Sequence, residues 1–187
     1  MHNISLKSRE VTMSGNIAIG IQDFSTIIQG NYFYIDKTPF IKEWWDCGDS
    51  ATLITRPRRF GKTLTMSMVE QFFSIDYAGR SDLFEHLAIW KEEKYRELQG
   101  TYPVISLSFA RIKERDYEKT KQKMCEVLRN IYIKFCYIKD SEKLTDADRA
   151  YYERMLEENI KETDATSSLY QLSDFLYRYY GKKVINY

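Results

Sequence analysis

Ala51-Thr-Leu-Ile-Thr-Arg-Pro-Arg-Arg-Phe-Gly-Lys-Thr-Leu64 passes from an apolar stretch, through a basic turn, into a helical period. Ala51-Thr-Leu-Ile-Thr55 reads as a short buried strand, and Arg56-Pro-Arg-Arg-Phe-Gly61 as a turn rich in arginine. From Lys62 to Phe73, the apolar residues Leu64, Met68, Val69 and Phe72 recur at helical spacing. Strand, tight loop, then helix is the setting that gives Gly61-Lys62-Thr63 its meaning as a phosphate loop. In such a loop, backbone N–H groups wrap the phosphates, the lysine reaches the outer phosphates and the hydroxyl holds Mg2+. The helix start adds unpaired N–H groups and a dipole to the anion site. The general pattern G-x-x-x-x-G-K-[ST] has glycine where this chain carries Arg56, so the loop entry is expected to keep ordinary backbone angles. Pro57 stiffens that entry and removes one N–H donor.

The expected nucleotide-binding set is therefore Arg56, Pro57, Arg58, Arg59, Phe60, Gly61, Lys62, Thr63 and Leu64, with ATP and Mg2+ as cofactors and Thr63 as the Mg2+ ligand. No residue is assigned a catalytic role. A second reading stays open. Arg56, Arg58, Arg59 and Lys62 place four cations in seven positions, which suits a nucleic-acid backbone or a protein partner. The chain as a whole carries 28 Lys+Arg against 27 Asp+Glu, a net +1, without the basic excess of a general nucleic-acid coat. The alternative is thus a non-enzymatic interaction module using the arginine loop.

The 187 residues suffice for one domain with a real core, and 43% hydrophobic with 15% aromatic content supplies it. Cys47, Cys125 and Cys136 lack metal or disulfide spacing and are expected to be reduced and mostly buried. His2 and His86 are too few and too isolated for a histidine metal site. No apolar run approaches the ~18 residues of a membrane span, and the start lacks a signal pattern, so a soluble cytoplasmic protein without membrane partners is expected.

Around the loop, residues 23–29 suggest a short helix ended by Gly30, and 32–35 an aromatic strand. Thr38 reads as an N-cap with Pro39 at the first helical position, opening a helix that stops near Gly48. Asp36-Lys37 could reach a nucleotide, although a helix-entry turn explains them more simply. Lys91, Glu92, Glu93, Lys94, Arg96 and Glu97 read as a solvated face of mixed charge. Pro103 announces a second strand, Val104-Ile-Ser-Leu-Ser-Phe109. Tyr117, Thr120, Met124, Leu128, Ile131 and Phe135 share one helical face. Thr145 and Asp148 fit a capping box for a helix through about Ile160, and Leu169, Leu172, Leu176 and Tyr179 mark another ended by Gly181. Val184-Ile-Asn-Tyr187 begins a third strand-like run.

The pieces Gly20-Ile-Gln-Asp-Phe24, Tyr34-Ile-Asp-Lys-Thr38, Leu53 to Leu64, Tyr102 to Phe109 and Tyr179-Tyr-Gly-Lys-Lys-Val-Ile185 occur in an order covering roughly nine-tenths of the chain. In that order they resemble the AAA-ATPase-like family of bacterial P-loop proteins, often fused to a PD-(D/E)xK nuclease-like domain. The resemblance implies Walker A roles for Lys62 and Thr63, and makes the arginine-rich loop the family's own version. It also implies that the last strand leads into an acidic Walker B segment, where this sequence closes with Asn186 and Tyr187.

On that reading, residues 1–19 form a flexible segment, and 20–187 a P-loop domain truncated at the Walker B strand. The expected fold is α/β: an incomplete P-loop NTPase, AAA-like, with a parallel sheet and a helical layer or insertion. The strands beginning at Ala51 and Val104 are expected side by side, joined through the Lys62–Phe73 helix. Hydrolysis is expected to be lost or to depend on a missing second half, with Asp36 the one substitute acid considered. The unpaired sheet edge suggests self-association, or pairing with a missing C-terminal half bearing a nuclease-like domain.

Overall fold

The structure is a computed structural model and describes residues 16–49, 51–55, 57 and 60–187. α1 (Phe24–Gln29) starts behind Asp23, whose carboxylate accepts from the Thr26 amide, and stops at Gly30. α2 (Pro39–Cys47) begins with its proline and ends at Gly48 in the left-handed region. Thr38 does not cap α2 with its side chain, which corrects the sequence reading. Its backbone is already helical, and its hydroxyl donates to Asp36 Oδ1 (2.7 Å) and accepts from the Ile89 amide (3.2 Å). An N-cap needs extended backbone to aim its oxygen at the first amides, and Thr38 lacks it.

α3 (Lys62–Phe73) follows the basic loop with the limits its apolar spacing predicts. Three short 3-10 turns lead to α4 (Glu93–Arg96), and then come β1 (Val104–Ile105) and α5 (Tyr117–Lys134). α6 (Asp146–Leu156) opens on the expected Thr145–Asp148 capping box but ends at Leu156, before Ile160. α7 (Glu162–Tyr180) stops at left-handed Gly181, and β2 (Ile185–Asn186) follows.

The expected P-loop sheet is not what forms. Among the described residues, the fold is mostly helical, and its sheet is one parallel pair of two-residue strands, Val104 opposite Ile185 and Ile105 opposite Asn186. The neighbour of Val104 is thus β2, not the run at Ala51. Residues 51–55 form no strand, and Leu53 is 85% exposed. Residues 32–35 form none either. Apolar content makes a strand only when a partner edge meets its N–H and C=O groups. Ala51, Thr52 and Ile54 instead line an open gap with Ile185, Asn186 and Tyr187. The second strand also stops short of Phe109, although Tyr187 continues the ladder by accepting from the Leu107 amide (2.8 Å).

This small sheet nevertheless divides the core, because successive residues of a strand face opposite sides. Val104 and Ile185 pack with Phe24, Met68, Phe72, Phe73 and Phe84 on the side of α1 to α4. Ile105, Leu107 and Val184 pack with Leu128, Tyr132, Tyr152, Phe175 and Leu176 on the side of α5 to α7. The α5 stripe is only partly core: Leu128, Ile131 and Phe135 are buried, whereas Tyr117 and Met124 are exposed. The cysteines also depart from expectation, since Cys47 and Cys136 are exposed and Cys125 is half-buried. Cys47 closes a short helix at the surface and Cys136 starts a 3-10 turn, positions outside both packed faces.

Candidate functional site

Gly61 sets the start of α3. Its φ of 73° lies in the left-handed region that favours glycine; a Cβ there would meet only the flexible tip of Lys37, so the backbone angle is what selects the residue. Its carbonyl accepts the Thr65 amide (2.9 Å) and the Thr65 hydroxyl (3.0 Å), which fixes the first turn. Lys62 and Thr63 follow at once and are exposed. The first amides of any helix lack intrahelical partners, and with the dipole they favour an anion. Leu64 is half-buried and packs towards the aromatic core, while Phe60 is 61% exposed. Pro57 is exposed; Arg56, Arg58 and Arg59 lie outside the described residues.

The seating of α3 depends on the segment before the loop. Ser67 accepts the Phe24 amide (3.0 Å), and Gln71 donates to Asp23 Oδ2 (2.7 Å). Burial alone would raise the Asp23 pKa, but hydrogen bonds from Ser25, Thr26 and Gln71 outweigh it and hold the carboxylate below its usual range. Phe24 then stacks on Phe84 at 5.1 Å between ring centres. Residues 20–24 therefore serve the loop indirectly, by docking α1 against the helix that carries it.

Lys62, Thr63, Ser67 and Glu70 line a cleft of about 300 Å3, whose far wall is Ser106, Ser108 and Tyr187. Lysine 62, methionine 66 and glutamate 70 recur every four residues, so one face of α3 turns towards the segment after β1 and the end of β2. Tyr187 donates its hydroxyl to Glu70 Oε2 (2.6 Å). Burial, reinforced by that carboxylate, pushes the Tyr187 pKa far up and keeps it a neutral donor. Lys134 Nζ lies 4.0 Å from the other Glu70 oxygen and 2.7 Å from Asp76. Sequence reading missed Glu70; its fourfold spacing from Lys62 was the available signal.

Asp36 is not brought to this cleft. Its Oδ1 accepts from the Thr38 amide (2.8 Å) and hydroxyl (2.7 Å), and its Oδ2 accepts from the Ala88 amide (2.7 Å). The helix-entry reading of Asp36 therefore holds, with a long-range clamp added. Lys37 turns the other way and donates to the Phe60 carbonyl (3.3 Å), beside Gly61. Of the mixed-charge run at 91–97, Lys94 pairs with Asp46 (2.8 Å), Glu92 pairs with Lys42 (2.6 Å), and Tyr95 is buried between them and the core.

Among the described residues, no group of three or more His, Cys, Asp or Glu could hold a metal ion, and no helix is long and apolar enough to cross a membrane. Magnesium bound with a nucleotide needs no such cage, because phosphate and water supply most of its oxygens.

The chain is similar to an uncharacterized protein in the vnfD 5′ region of Azotobacter chroococcum mcd 1, with 33% identity over 113 residues. That match covers 60% of this chain and 20% of the relative, so the chain spans only a small part of its length. No solved structure matches the chain. A family model described as "Predicted AAA-ATPase" covers residues 18–186, and the chain therefore belongs to the AAA-ATPase-like family.

Proposed function

We propose that this chain binds ATP, with the phosphates at residues 56–64 and Mg2+ at the Thr63 hydroxyl. The observation that supports this most directly is the left-handed turn at Gly61, which leads into a twelve-residue helix whose first residues, Lys62 and Thr63, border an open cleft. Lys62 would neutralise the outer phosphates, and the first amides of α3 would receive the inner ones. Thr63 would supply the protein oxygen for Mg2+, which would offset the negative charge of the phosphates there. Glu70 stands further along the same cleft, engaged by Tyr187, where it can accept a proton or orient water. The ordering of Tyr187 against Glu70 couples the end of β2 to the cleft wall.

Family membership supports nucleotide use in general, and the Gly61 turn before α3 supports the loop as the place. The test is calorimetry with Mg-ATP on the wild type and on Lys62→Ala. Losing a charge-assisted hydrogen bond worth ~1.5–3 kcal/mol predicts a fall in affinity of about tenfold to a hundredfold. Thr63→Ala is expected to reduce mainly the Mg2+ dependence. Equal ATP affinity for wild type and Lys62→Ala would remove this reading.

A further inference from the structure

We propose, resting on the phosphate reading of the loop, that the cleft on the opposite flank of α3 is the base subsite and selects adenine through Glu43. This second cleft holds about 210 Å3 and is lined by Asp36 and Lys37, by Pro39, Phe40 and Glu43 of α2, and by Ile54 and Thr65. Two contacts join it to the loop. Lys37 Nζ donates to the Phe60 carbonyl (3.3 Å), and the Thr65 hydroxyl donates to the Gly61 carbonyl (3.0 Å). Its wall is thus built from groups that also fix the two residues before Lys62.

Helix geometry separates the two clefts. Each residue turns the α-helix by about 100°, so Thr65 lies roughly 60° to one side of Lys62, while Met66 and Glu70 lie roughly 40° and 80° to the other. A nucleotide whose phosphates sit over the helix start has one cleft on each side. The cleft with Thr63, Ser106 and Ser108 is polar at the helix start and suits the outer phosphates and metal. The cleft with Pro39, Phe40 and Ile54 offers apolar walls for a flat heteroaromatic ring.

The choice of base follows from which acid is available. Asp36 spends both oxygens on Thr38 and Ala88, Asp46 binds Lys94 and Tyr95, and Glu92 binds Lys42. Glu43 lines the cleft, is exposed, and has no hydrogen bond or ion pair among the described residues. An ionised carboxylate only accepts hydrogen bonds. It favours a base that presents an amine and opposes one that presents a carbonyl oxygen at the same place. Adenine carries an amine at C6, whereas hypoxanthine and guanine carry an oxygen there. Asp46 is held below the usual carboxylate range by its hydrogen bonds to Lys94 and Tyr95, and its oxygens are committed to that pair, so it does not compete for the role.

The experiment titrates the purified chain with ATP, ITP and inorganic tripolyphosphate by calorimetry. Wild type is expected to prefer ATP over ITP by about tenfold or more, the size of one well-placed hydrogen-bond difference. Glu43→Gln, which can donate as well as accept, is expected to bring that ratio to about threefold or less while leaving tripolyphosphate binding unchanged. Phe40→Leu should weaken ATP and ITP together, again sparing tripolyphosphate. An ATP-to-ITP ratio that does not move in Glu43→Gln, or a wild type indifferent to the base, overturns the subsite even if tripolyphosphate binding depends on Lys62. Tripolyphosphate binding that ignores Lys62→Ala overturns the loop reading, and the subsite with it.

Discussion

The two sides of the small sheet are held together in different ways. Around α5 to α7, buried hydroxyls tie helices to one another: Tyr132 donates to the Ser168 carbonyl (2.7 Å) and Tyr152 to the Tyr132 carbonyl (2.8 Å). The two rings also meet edge to face at 4.8 Å. Around α1 to α4, the elements are mostly short helices and 3-10 turns, joined by packed rings together with polar clamps such as Asp36 to Ala88 and Asp46 to Tyr95. Phe72 meets Phe73 and Phe84 edge to face, and Trp45 stacks on Phe73. The clefts beside the loop open at the margin of the ring-packed side, and the one with Lys62 is shared with Leu107 of the other. A cleft of about 220 Å3 also lies between α5 and α7, lined by Met124, Leu128 and Ala165. The proposed phosphate loop is carried by the side of α1 to α4, and the bundle of α5 to α7 is expected to contribute mainly stability.

The strongest way to break this division is Phe72→Ala. Phe72 is fully buried under α3, and its removal should cost ~3–5 kcal/mol in urea unfolding and weaken ATP binding by loosening the helix that carries Lys62. Unchanged ATP affinity in a folded Phe72→Ala protein would show that the loop does not depend on this core.

Tyr132→Phe tests the other side. It leaves the Ser168 carbonyl without its buried donor and should cost ~1–3 kcal/mol, with ATP affinity retained. A large affinity loss at equal stability would mean the two sides act as one unit.

A smaller effect comes from acid. The Arg178 guanidinium, with help from Thr145, lowers the Asp148 pKa to about 2 from 3.8. A depressed carboxylate contributes stability above its unfolded value, and that contribution drains away as pH falls from near 3.8 through about 2. Both partners are partly solvated, so the expected contribution is about 1 kcal/mol. Asp148→Asn should flatten the stability profile in that window, and an unchanged slope there would argue against the pair. The smallest change expected is Lys42→Gln. Its pair with Glu92 is about half exposed and well solvated, and thermal unfolding should hardly shift.

Much of the helical layout was legible because its signals are local. The Asp23 start, the Gly30, Gly48 and Gly181 stops and the Thr145–Asp148 box each act within one turn. Thr38 misled for the same reason in reverse. It has the right side chain before a proline, but Asp36 and Ile89 claim its hydroxyl from outside the local sequence. Cys136 misled because residue type predicts burial only on average, and its place on a surface turn is a matter of packing.

The sequence by itself determined the turn at Gly61, the helix that follows it and family membership, since these depend on glycine backbone freedom, apolar spacing and motif order. The tertiary structure alone decided which strand pairs with Val104, because pairing needs a partner edge and no short apolar run names its neighbour. It also brought Glu70 and Tyr187, 117 positions apart, to 2.6 Å across one cleft, and left Glu43 unpartnered among the described residues beside the other. Such groups meet because α3 is seated by distant contacts to Asp23, Phe24 and β2, and contacts between residues far apart in the chain leave no periodic mark in it.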